Sequence, residues 1–170
     1  MTVRLENMPA LKIAYMRRIG PYGSDNKDTM ERMKAWARVH GLLDENAVVL
    51  GIAQDNPQTT RPGECRYDTC LILNSDIKTK SEDIKFGSVP GGSYCVFEIE
   101  HTAEALQKAW QEIFPELAKL KYEPDYSRPI LERYSVKMVN AHKCEICVPV
   151  QNNAIDDGEL VATMTAIGLF

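Results

Sequence analysis

The chain has 170 residues, of which 44% are hydrophobic and 26% charged, and its formal net charge is -4. That is ordinary globular composition, about the size of one domain or of two small halves sharing a core. No run approaches the ~18 apolar residues of a membrane span. The densest basic spot, Arg17-Arg18, is too small for a phosphate-binding face, so neither membrane nor direct nucleic-acid contact is expected.

In chain order, MTVRLENMPALK has acid and proline where a signal peptide needs an apolar stretch, which points to a cytoplasmic protein. LKIAYMRRIG (11–20) is strand-like and ends in the breaker run GPYG. From about Asp25 to His40 apolar residues step helically through Met30, Met33 and Trp36 or Ala37, and Gly41 ends the helix. AVVLGIA (47–53) is a buried strand, DNPQTTRPG (55–63) a turn-rich loop, and CRYDTCLILN (65–74) another strand. On that last strand Arg66 and Asp68 share one face, as a surface ion-pair ladder would, and Tyr67 takes the other.

The order then starts again. FGSVPGGSYCVFEIEH (86–101) is a strand with a turn or bulge at PGG. TAEALQKAWQEIF (102–114) is a helix that Pro115 kinks or ends. Strands at 130–139 and 143–150 close the series. Both halves, about 1–75 and 85–150, read strand, helix, strand, strand, and each helix carries Lys-Ala-Trp, at 34–36 and 108–110. An internal repeat is therefore expected. The predicted architecture is α+β, a duplicated module with pseudo-two-fold symmetry and a central groove, with Trp36 and Trp110 as symmetry mates. Residues 151–170 form a C-terminal extension of unassigned role.

Five cysteines without a signal sequence suit reduced thiols. Cys144 and Cys147 form a Cys-x-x-Cys, but on a strand positions three apart point to opposite faces, so neither a metal nor a redox pair is expected. His40, His101 and His142 make no ligand set or triad, and no cofactor motif is present. The sharpest signal is RPILERYSVKMV (128–139). Ile130, Tyr134, Val136 and Met138 form an apolar face with Glu132 among them, while Leu131, Arg133, Ser135 and Lys137 form a mostly polar one. A carboxylate on an apolar face takes up a proton or finds a cation. That cation is either a structural arginine or a ligand, and the remaining alternative is a strand end where this face is wet. Tyr67, Tyr94, Phe97, Tyr134, Trp36 and Trp110 are the candidate groove aromatics. Core packing is the alternative for each and the favoured reading for Trp36 and Phe97, whereas Tyr94 and Trp110 are favoured as groove residues because their half also supplies Glu132.

RRIGPYG (17–23), Trp36, GIAQDNPQTTRPGECRYDTC (51–70), PGGSYCVF (90–97), Trp110, PILERY (129–134) and ICVPV (146–150) together resemble the GyrI-like small-molecule-binding domains. That family includes the effector-binding domains of AraC-type and MerR-type multidrug regulators and a stand-alone DNA gyrase inhibitor. The resemblance implies a duplicated strand-helix-strand-strand fold, bulky and often cationic aromatic ligands, and a pocket glutamate at Glu132. Three functions follow from it. The chain is a stand-alone small-molecule binder, monomeric or weakly dimeric. Alternatively it inhibits DNA gyrase by protein–protein contact, or it hydrolyses cyclopropane-type toxins with Glu132 as general acid or base. Without that hydrolase reading, no residue is assigned a catalytic role.

Overall fold

The computed structural model describes residues 1–77 and 81–151, so the expected extension lies outside the described residues from 152 onward. Among the described residues, eight strands form one antiparallel sheet. They are β1 (Thr2–Met8), β2 (Leu11–Ile19), β3 (Val48–Ala53), β4 (Arg66–Ile72), β5 (Lys85–Val89), β6 (Gly92–Glu100), β7 (Leu131–Ser135) and β8 (Lys143–Pro149), in the order β1-β6-β8-β7-β3-β4-β2-β5. The helices are α1 (Asn26–Val39), α2 (Ala103–Lys119) and the short α3 (Val136–Asn140).

Alternation assigns the two sheet faces. Under α1 lie Ala14, Met16, Val49 and Leu71, joined by Met33 and Ala37 of the helix. Under α2 lie Cys95, Phe97, Ile99, Cys144, Ile146 and Val148, joined by Ala109, Ile113 and Leu117. Each helix buries a stripe spaced four apart: Thr29, Met33 and Ala37 in one, Ala109, Ile113 and Leu117 in the other. The opposite face has its own cluster, with members from all eight strands, among them Met8, Ile13, Leu50, Val89, Tyr94, Leu131 and Cys147. Cys144 and Cys147 thus sit on opposite faces of β8, as the spacing requires.

The duplication is visible in positions rather than letters. Strands β2 and β6 begin and end 81 positions apart, and β4 and β8 begin and end 77 apart. The buried helix stripes are 80 apart. Exchanging β1-β2-β3-β4 for β5-β6-β7-β8 leaves the sheet order unchanged when read from the other edge. The first strand of each half pairs with the second strand of the other, β1 with β6 and β5 with β2. The halves meet where β3 pairs with β7, and there Gly51 opposes Glu132. These two residues are 81 apart, so each is the other's counterpart and the pseudo-two-fold axis passes between them.

Five expectations need correction. With helices offset by 80, the counterpart of Trp36 is Glu116 and that of Trp110 is Met30; the repeated Lys-Ala-Trp is not the structural repeat. The better signal is Met-Pro at 8–9 and Val-Pro at 89–90, which separate β1 from β2 and β5 from β6. Accordingly PGG is no bulge, because the strands on either side of it lie far apart in the sheet. Helix α2 runs through Pro115 to Lys119, anchored by buried Leu117 beyond the proline. The strand at 130 stops at Ser135, whose hydroxyl accepts from the Met138 amide at 3.2 Å and caps α3. The supposedly polar face is also interior: Leu131 is fully buried and Arg133 is mostly so.

Candidate functional site

One row of side chains crosses the sheet beneath the helices, set by register: Val3, Phe97, Ile146, Glu132, Gly51, Thr69 and Met16. Every member is apolar or small except Glu132 and Thr69, and Glu132 stands at its middle. The carboxylate is half-buried and makes three hydrogen bonds. Tyr67 donates to Oε2 at 2.8 Å, Tyr134 donates to Oε2 at 3.1 Å, and Trp110 Nε1 donates to Oε1 at 3.2 Å. Among the described residues Glu132 has no ion-pair partner, so the structural-arginine reading does not hold.

Each donor is delivered by a different element. Tyr134 is two residues along β7 and so on the same face. Trp110 comes from α2, next to buried Ala109. Tyr67 reaches over from β4, across the glycine at position 51. Burial, and then the nearby Glu132 carboxylate, push the hydroxyls of both Tyr67 and Tyr134 well above the usual tyrosine range. They therefore stay protonated and remain donors. Tyr22 packs edge-on against Tyr67 with ring centroids 6.1 Å apart, and its hydroxyl is held by the Asp55 amide and carbonyl. His101 lies against Tyr134 at 5.6 Å, and burial, then Lys34 and His142, lower its pKa.

Of the seven residues singled out in the sequence, four converge: Glu132, Tyr67, Tyr134 and Trp110. Trp36 is on α1 and packs on the cluster that Tyr134 also borders; its ring lies 4.6 Å from that of His40. The Trp36 indole N–H is buried and, among the described residues, has no hydrogen-bond partner. Phe97 shares the face of Glu132 but is fully buried in the core under α2. Tyr94 is on the opposite face, because the break at Pro90-Gly91 sets the parity of β6. Its hydroxyl donates to the Pro90 carbonyl and Arg128 lies over its ring. Gly51 is the site residue that sequence reasoning missed. A lone glycine inside an otherwise apolar strand was the available signal.

The far face carries charge of another kind. Glu145, almost fully buried, accepts from Arg4 and from Arg133 at 2.6 Å, and Arg133 also donates to both oxygens of Glu6. Burial works against the Arg133 charge, yet its hydrogen bonds to Glu6 and Glu145 raise its pKa further. In the other half Asp68, placed by the sequence on a surface ladder, is buried and takes a two-pronged contact from Arg17 at 2.7 Å. Arg66 pairs instead with Asp55. A cavity of about 160 Å³ adjoins Arg17 and Asp68, and one of about 310 Å³ lies between α2 and β1. Glu132 lines neither of these two cavities.

Residues 1–151 match the family described as the GyrI-like small molecule binding domain. Over 152 residues the chain is 42% identical to YosT, an SPbeta prophage-derived protein of Bacillus subtilis (strain 168) named for transcriptional regulation; the match covers 89% of this chain and 100% of that one. It is 28% identical to DNA gyrase inhibitor 2 of Dickeya dadantii (strain 3937), over 73% of this chain and 79% of that one. The structure of SAV2435 bound to tetraphenylphosphonium shares the fold, with a TM-score of 0.56 at 16% identity, covering 89% of this chain and 95% of that one.

Proposed function

The chain belongs to the GyrI-like small-molecule-binding family, and from that premise we propose that it captures bulky aromatic cations at Glu132, beneath the two helices. The observation that carries this reading is a half-buried carboxylate served by three neutral donors and, among the described residues, by no cation. Hydrogen bonds from hydroxyls and an indole stabilise a carboxylate without neutralising it. A ligand that brings positive charge and apolar surface supplies what is missing. Tyr67, Tyr134 and Trp110, with Trp36 at the border, are the rings on which it would lie, each contributing about 0.5–2 kcal/mol to a cation.

The test is titration with tetraphenylphosphonium, followed by tryptophan fluorescence, for the parent chain and for Glu132→Gln. The substitution keeps shape and removes charge. Affinity should fall by about tenfold or more. Equal affinities would reject the reading. A toxin-hydrolase role would use the same carboxylate and would show as consumption of the ligand rather than saturable quenching.

The similarity to DNA gyrase inhibitor 2 favours a second reading, contact with gyrase. A fall in gyrase supercoiling on adding the protein, unaffected by Glu132→Gln, would support that reading over the first.

A further inference from the structure

We propose that Gly51 is a specificity-determining residue. By admitting the Tyr67 phenol to Glu132, it makes the site prefer cations without N–H donors over ammonium and guanidinium ligands. The inference rests on Glu132 being the counter-charge of the ligand.

Gly51 is the two-fold counterpart of Glu132 and its direct partner across the β3–β7 seam. A Cβ at this position would overlap the Tyr67 hydroxyl oxygen, and would come within 2.9 Å of both Tyr67 Cζ and Glu132 Oε2. The backbone gives no reason for glycine here, since Gly51 is not among the glycines with positive φ. What the glycine supplies is space, and the phenol of Tyr67 takes that space.

The consequence lies in the lone pairs. A carboxylate offers about four acceptor positions. Tyr67, Tyr134 and Trp110 fill three of them. An ammonium or guanidinium draws its strength from several N–H···O bonds, the guanidinium from a two-pronged one. To form them it must displace the neutral donors, and Tyr67, which is only 6% exposed, would be left with a buried hydroxyl lacking a partner. A phosphonium or quaternary ammonium has no N–H. It needs only the charge and the ring faces. With glycine at 51 the site therefore attracts charge while leaving only about one acceptor position for the ligand. A side chain at 51 pushes the phenol away and returns a lone pair to Oε2.

The experiment compares two probes of equal charge, tetraphenylphosphonium and biphenylmethylammonium. They are titrated into the parent chain, Gly51→Ala, Tyr67→Phe, the double variant and Glu132→Gln. The parent should bind the phosphonium more tightly. Gly51→Ala and Tyr67→Phe should each shift the ratio of affinities by about tenfold toward the ammonium. The double variant should shift it no further than the larger single effect, because both remove one hydrogen bond. Tyr67→Phe alone decides the matter if Gly51→Ala fails to fold, since it deletes only the hydroxyl. An unchanged ratio in the variants, with Glu132→Gln still weakening both probes, overturns the role of Gly51 alone. If Glu132→Gln weakens neither, or the parent binds neither, the counter-charge reading falls and this inference with it.

Discussion

Glu132 and Glu145 lie on neighbouring strands of the same half, one on each face of the sheet, and their surroundings differ completely. Glu145 is closed in by Arg4 and Arg133, and Glu6 holds the far side of Arg133. Its charge is matched inside the fold. Among the described residues Glu132 receives three hydrogen bonds and no positive charge. Burying two charges together costs stability unless geometry is good, and removing one partner leaves the other stranded. Removing the Glu132 charge strands no opposite charge among the described residues. The same residue type is thus part of the framework on one face and is left open to an outside partner on the other.

Stability measurements break the comparison most forcefully. Glu145→Gln should cost about 2–3 kcal/mol, because mostly buried Arg133 loses one of its two counter-charges and Arg4 a contact. Glu132→Gln should be near neutral or slightly stabilising. Urea denaturation of the two variants side by side reads this, and equal losses would mean that Glu132 is structural after all. Next in size is the effect on ligand. Glu145→Gln, where still folded, should keep its tetraphenylphosphonium affinity within about threefold, whereas Glu132→Gln loses about tenfold.

Acid sharpens the contrast. Arg66 holds the Asp55 carboxyl down at about 2, and Arg133 holds that of Glu6 below its ordinary value. A depressed carboxylate binds fewer protons folded than unfolded, so its stabilisation is full above the unfolded value near 4 and is lost as pH falls toward 2. Denaturation midpoints should therefore hold from pH 7 to about 5 and decline below about 4. Asp55→Asn should flatten that decline in part, and its effect at pH 7 should be the smallest of the set, about 0–1 kcal/mol, because Arg66 is well exposed.

Much of this was legible in the sequence because it depends on local pattern. Strand-like apolar runs located β2, β3, β4 and β8, helical spacing located α1, and the misfit of Glu132 among Ile130 and Tyr134 marked the candidate site. What was hidden depends on pairing. β1 is an edge strand with few buried positions, so its alternation is weak. Tyr94 changes face because the chain breaks at Pro90-Gly91 and crosses to the other edge of the sheet, which no single window reveals. Trp36 and Trp110 share their neighbours' letters but not their burial phase, and burial phase is what a repeat preserves. Gly51 gains its meaning only from Tyr67, 16 residues on, and Glu132, 81 on, meeting over it.

The most direct test is a crystal structure of the chain with tetraphenylphosphonium. The phosphonium should lie on the helix-covered face over Glu132, with rings from Tyr67, Tyr134 and Trp110 around it and no arginine or lysine at the carboxylate. Density for the cation on the opposite face, beside Arg17 and Asp68 or elsewhere away from Glu132, would contradict the account.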